Sequence, residues 1–96
     1  MSFTHIVTFK WQADQFDDQP VADALNGLIP SLAGVQRYVC GADIGLSPGS
    51  YDFAVVGIFD SRDHFIAYRD HPEHRRIIDE LIAPNVDTRT VVQLED

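Results

Sequence analysis

Residues Phe53 to Phe59, Phe-Ala-Val-Val-Gly-Ile-Phe, run without a single polar side chain, and no other segment limits the fold so strongly. Taken with the period of two of a β-strand, the segment puts Phe53, Val55 and Phe59 on one face and Ala54, Val56 and Ile58 on the other. Both faces must leave water, so this strand belongs in the middle of a sheet and has to be covered twice. It is far too short to span a bilayer, which takes about 20 residues. A chain of 96 residues has room for one domain, spanning residues 1–96, and a domain of this size buries only about two-thirds of its unfolded surface. A partner chain is therefore an economical second cover.

The rest of the chain supplies neighbours for that strand. Residues 3 to 11 alternate, with Phe3, His5, Val7 and Phe9 on one face and Thr4, Ile6, Thr8 and Lys10 on the other. Asp18 is placed to cap a helix whose first turn tolerates Pro20, because a first-turn N–H has no helical partner to lose. Val21, Leu25, Leu28, Ile29 and Leu32 make its apolar stripe, Pro30 marks a kinked or ending last turn, and Gly34 closes the segment. Val35 to Ile44 reads as a second strand, joined through the turn-forming residues Gly45 to Ser50 to a third that begins at Tyr51. Ser61 suits the cap of a short helix bearing Phe65, Ile66 and Tyr68. Asp70-His71-Pro72 interrupts that helix, Pro72 opens a further helical piece with Ile77, Ile78, Leu81 and Ile82 inward, and Ala83-Pro84 ends it. Val86 to Leu94, with Thr88, Thr90 and Val92 on one side, forms a fourth strand. The order β-α-β-β-α-β predicts an α+β, ferredoxin-like subunit: an antiparallel four-stranded sheet with strands one and three central and the helices on one face.

Composition narrows the partners. Fifteen acidic residues against 7 basic ones, a net charge of -8, disfavour nucleic acid and anionic membrane surfaces, while 45% hydrophobic content argues against disorder. The lone Cys40 can neither close an internal disulfide nor build a thiolate metal cage. The start Met1-Ser2-Phe3-Thr4-His5 lacks the basic opening of a signal peptide, so a cytoplasmic protein is expected.

The segment Ala67-Tyr68-Arg69-Asp70-His71-Pro72-Glu73-His74-Arg75-Arg76 concentrates ionisable groups at one helical bend. His5 lies on the strand face assigned to the helices, where Tyr68 and His74 can also arrive, and three polar groups meeting in an apolar layer outline a small-molecule pocket. A histidine titrating near neutrality can take a proton α to a carbonyl, and a tyrosine hydroxyl can stabilise the enolate that results; no cofactor is needed. The structural alternative has Tyr68 filling core volume and His74 bracing the bend. His71 and His74 at i, i+3, with Asp70 or Glu73, offer a metal reading, but Pro72 breaks the helix that would aim them together and no second cluster completes the set. Cys40 has no sequence-local base to make it a nucleophile. Arg69, Arg75 and Arg76 can hold an anionic ligand group, or pair with Asp70, Glu73, Asp79 and Glu80 on a solvated face. Trp11 and Phe16 either gate a pocket or pack a strand end.

The Tyr-x-x-His-Pro-x-His pattern of Tyr68, His71, Pro72 and His74, the early His5-Ile6-Val7 strand and the Tyr51-Asp52 opening of strand three resemble the stress-responsive dimeric α/β-barrel, or Dabb, family over nearly the whole chain. The resemblance implies a homodimer of ferredoxin-like subunits. It also implies, from cyclising members that act on polyketides, a general-base role for His74, a carbonyl-polarising role for Tyr68 and a pocket-lining role for His5. Arg75 and Arg76 after His74 depart from the cyclase pattern. The expectation is a dimeric α+β barrel meeting through Ile6, Ala54, Val56 and Ile58. Functionally, the expectation is a cofactor-independent enzyme on a small aromatic or polyketide-like carbonyl compound, or, alternatively, a non-catalytic stress-associated protein whose barrel gives a robust dimer or holds a ligand passively.

Overall fold

The alternation of residues 3–11 is realised as strand β1, Phe3–Trp11, whose odd-numbered side chains are all buried. A computed structural model describes all of residues 1–96. Strand β2 spans Val35–Ala42, β3 Phe53–Phe59 and β4 Val86–Glu95. Every neighbouring pair is antiparallel and the order across the sheet is β2-β3-β1-β4, so β1 and β3 are central as their sequences require. β2 ends two residues before Ile44 and β3 starts two after Tyr51, the intervening loop being longer than sequence patterning indicates.

Helix α1 covers Gln19–Leu28 and gives way to a 3-10 turn at Ile29–Ser31, where Pro30 cannot continue the α-helical ladder. Asp18 precedes the helix but its side chain makes no cap; its carboxylate instead accepts the indole N–H of Trp11 at 3.2 Å, tying the helix start to the end of β1. Ser61 does cap α2, Arg62–Asp70, by accepting the His64 N–H. Helix α3, Pro72–Ile77, runs into a π-helical turn at Ile78–Ile82 that periodicity alone does not reveal.

All three helices lie on one face of the sheet. One core cluster joins Val7, Phe9 and Trp11 of β1 to Val21 and Leu25 of α1, Phe53 and Val55 of β3, and Ile77 and Ile82. A second gathers Phe3, Leu28, Phe59, Phe65 and Tyr68. His5 sits on β1 between Phe3 of one cluster and Val7 of the other, at the seam. It faces Gly57 across the ladder, and Gly57 in turn faces Tyr38. A Cβ at Gly57 would come within 2.8 Å of the Phe59 ring, so only glycine lets the aromatic side chains close over this point. Trp11 packs against Phe9, Phe53 and Phe16, which makes this aromatic group part of the core and not a gate.

The opposite face has no helices. Register places Val39, Val56, Ile6 and Val92 side by side across all four strands, with Leu94, Thr4 and Ile58 in the next row. Val39, Val92 and Leu94 are 48%, 53% and 54% exposed. No helix of the chain is long and apolar enough to cross a membrane.

Candidate active site

The bend between α2 and α3 explains the spacing of Tyr68, His71, Pro72 and His74. In an uninterrupted helix the Arg69 carbonyl would accept the N–H of Glu73. Here His71 adopts an extended conformation, as the residue before a proline prefers, and its own Nδ1 accepts the Glu73 N–H at 3.1 Å. The Arg69 carbonyl is thereby left for His74, whose Nδ1 lies 3.0 Å from it. A carbonyl oxygen only accepts, so Nδ1 of His74 carries the proton and Nε2 keeps its lone pair. His71 and His74 are thus given different work, one capping a helix and the other buried, and no group of three potential metal-ligating side chains converges there or elsewhere.

His5, Tyr68 and His74, brought from β1, α2 and α3, all line one cavity of about 320 Å³ between the sheet and the helices. They are 6%, 2% and 7% exposed. The rings of Tyr68 and His74 lie 4.2 Å apart between centroids and those of Tyr68 and His5 6.3 Å apart, so the tyrosine neighbours both imidazoles. Burial lowers the pKa of His74, an effect its bond to Arg69 opposes and the nearby Arg75 reinforces. Burial, with help from Arg89, pushes His5 down to about 4. Both imidazoles are neutral at pH 7. Nδ1 of His5 is 3.1 Å from the side-chain amide nitrogen of Gln93. That amide only donates, so His5 carries its proton on Nε2. The two histidines therefore hold opposite tautomers: His74 presents a base, His5 a donor.

Tyr68 has a partner that sequence reasoning missed. Its hydroxyl lies 2.8 Å from that of Tyr38 on β2. Burial pushes Tyr68 up to about 12 and Tyr38 higher still, so both phenols stay protonated. One hydrogen serves the bond between them and the other remains for a ligand. Arg89 and Gln93 were also missed, although they alternate with Thr88, Thr90 and Val92 and so had to point toward the helices. Of the arginines near the bend, Arg69 pairs with Asp70 and Arg76 with Glu73 and Glu80, while Arg75 lines the cavity. Cys40 is raised to about 11 by its burial and is no nucleophile at neutral pH.

Among solved structures, a dimeric ferredoxin-like protein of unknown function from Thermobifida fusca YX is 42% identical, with a TM-score of 0.87 over 98% of this chain and 90% of its own. A dimeric protein of unknown function and ferredoxin-like fold from Bacteroides fragilis NCTC 9343 is 24% identical, with a TM-score of 0.83 over 99% of this chain and 96% of its own. A hydroxynitrile lyase from Passiflora edulis shares the fold at 16% identity, with a TM-score of 0.78 over 97% of this chain and 91% of its own. No curated protein matches the chain. The family model of the stress responsive A/B barrel domain matches residues 3–96, from the first residue of β1 to the residue after β4, and the chain accordingly belongs to the Dabb family.

Proposed function

We propose that this protein is a homodimer in which each subunit uses the His5–Tyr68–His74 cavity for cofactor-independent proton transfer on a small carbonyl compound, aromatic or polyketide-like. The observation that carries this reading is the pair of opposite tautomers in one apolar cavity. Nε2 of His74 takes a proton from the carbon α to the carbonyl. The electron pair of that C–H bond moves onto the carbonyl oxygen, and the enolate is met by the Tyr68 hydroxyl and the His5 Nε2–H, donors already oriented and shielded from water. The enolate carbon then regains the proton from His74, or attacks a second carbonyl of the same molecule to close a ring, and the oxygen of that carbonyl takes the proton from His74. A layer filled by Phe9, Leu25 and Ile78 would favour a passive dimer, yet these side chains line the cavity and leave it open. That the Passiflora edulis neighbour is a hydroxynitrile lyase brings the fold alone to this chain.

The homodimer rests on the apolar face away from the helices and on the dimeric state of the Thermobifida fusca and Bacteroides fragilis relatives.

The test is α-proton exchange in D2O, followed by NMR, over a panel of aryl methyl ketones and β-keto thioesters. Wild type should accelerate exchange for part of the panel and His74→Ala should lose that acceleration. Wild-type exchange at the buffer rate across the panel would leave the passive, ligand-holding dimer as the better account.

A further inference from the structure

Two guanidinium groups stand unpaired at the cavity. Of the chain's 7 basic residues, Arg62, Arg69 and Arg76 are held in ion pairs. Arg75 and Arg89 make no ion pair and no side-chain hydrogen bond, and both line the space that holds His5, Tyr68 and His74. Lys10 and Arg37 also stand outside ion pairs, but neither lines this cavity. Asp70, whose carboxylate Arg75 influences, is already bonded to Arg69.

The two arginines approach from different walls. Arg75 follows His74 on α3, and Arg89 projects from β4 on the helix-facing side, in register with Phe9 of β1. Their charges are felt inside: Arg89 disfavours protonation of both His5 and His74, and Arg75 that of His74. Beyond them the lining is apolar, made by Val7, Phe9, Leu25, Val55, Ile78 and Ile82. A greasy interior under two uncommitted guanidinium forks suits an apolar ring system that carries a carboxylate, since the fork and the carboxylate match in plane and spacing.

We propose that the cavity binds a carboxylate with an apolar ring body, its rings against the apolar wall and its carboxylate met by Arg75 and Arg89. This deepens the reading of the cavity as a ligand site and rests on it. The charge pattern selects among carbonyl compounds of equal shape, favouring those with an anionic end directed to the mouth.

The matched probes are 1-naphthylacetate and its neutral isostere 1-naphthylacetamide, titrated calorimetrically into the intact protein. The acid should bind at least tenfold more tightly than the amide. Arg75→Gln and Arg89→Gln should each remove most of that preference, and Arg62→Gln, which changes net charge equally but lies away from the cavity, should keep it. Both arginines are exposed, so neither change removes core packing. Equal binding of acid and amide would overturn the anion assignment while leaving a ligand pocket. A preference for the acid that survives both variants would overturn the role of these two residues. Absence of binding by either probe would overturn the proposal and the pocket with it, whereas failure of the exchange assay alone, with the acid still preferred, would remove the catalytic reading and leave this one standing.

Discussion

At the scale of single residues, the site depends on which atom of each imidazole holds a proton, and this sets what substitutions do. On the proposed mechanism His74→Ala removes the base and should lower turnover on a responsive ketone about 10²- to 10⁴-fold. Tyr68→Phe should weaken catalysis and also cost about 1–3 kcal/mol of stability, because the Tyr38 hydroxyl is left buried without its partner. The double change Tyr38→Phe with Tyr68→Phe should recover most of that loss. Urea titrations of the three variants check the pattern, and additive destabilisation would show that the hydroxyls are not coupled. His5 gives a pH test. Its pKa is lowered in the folded state to about 4 from 6.5, so between these values the unfolded chain binds more protons. The contribution is complete above about pH 6.5 and is lost as the pH falls toward 4. Wild type should therefore lose melting temperature relative to His5→Gln between pH 7 and pH 5, a comparison in which the titration of the carboxylates cancels, and parallel curves would refute the depressed pKa. His5, Tyr68 and His74 were legible because polar residues are conspicuous on an apolar face or at a helix break. Tyr38 was not, since a tyrosine in a strand is ordinary until the partner of its hydroxyl, 30 positions away, is known.

At the scale of elements, the strands were readable because burial imposes a period of two, and the central position of β3 followed from its apolar character on both faces. The π-helical turn after α3 was not readable, because an irregular helix buries the same kinds of residue as a regular one. The Asp18 carboxylate misled for a related reason: a capping residue type says nothing of the competing donor, here the Trp11 indole, that tertiary structure brings to it. The break between α2 and α3 connects local conformation to chemistry. Pro72→Ala should let Glu73 N–H bond the Arg69 carbonyl as in a continuous helix, displacing Nδ1 of His74. The nitrogen-15 shifts of His74 should then show a mixture of tautomers where wild type shows one. An unchanged tautomer would assign the break to the His71 cap alone. Gly34, at φ 76° after the 3-10 turn, lies against the His64 ring, which a Cβ there would overlap. Gly34→Ala should cost about 2 kcal/mol by denaturant titration, from the left-handed backbone and the displaced imidazole together.

At the scale of the whole molecule, the helices leave one broad face of the sheet without cover, and its composition decides what belongs there. A row of Val39, Val56, Ile6 and Val92 crosses the sheet from edge to edge. Sequence alone pointed to Ile6, Ala54, Val56 and Ile58, because the two central strands announce themselves; Val39 and Val92 joined the row only once the register of the edge strands was known. Two copies meeting there should bury more than about 2,000 Å² in total, the range of obligate dimers. Val39, Val92 and Leu94 of this face are exposed, and a contiguous apolar patch left in water is uncommon on a monomer. Two copies related by a two-fold axis would satisfy each other, each apolar row packing on its own image. The helix-lined cavity lies on the far side of the sheet, so assembly and chemistry are separable by mutation. Val56→Asp would set a carboxylate at the middle of the dry contact at a cost of several kcal/mol. Sedimentation equilibrium at micromolar concentration should show a dimeric wild type and a monomeric Val56→Asp protein, and His74→Ala should remain dimeric. A monomeric wild type would refute the interface, and a dimeric Val56→Asp protein would place it on another surface.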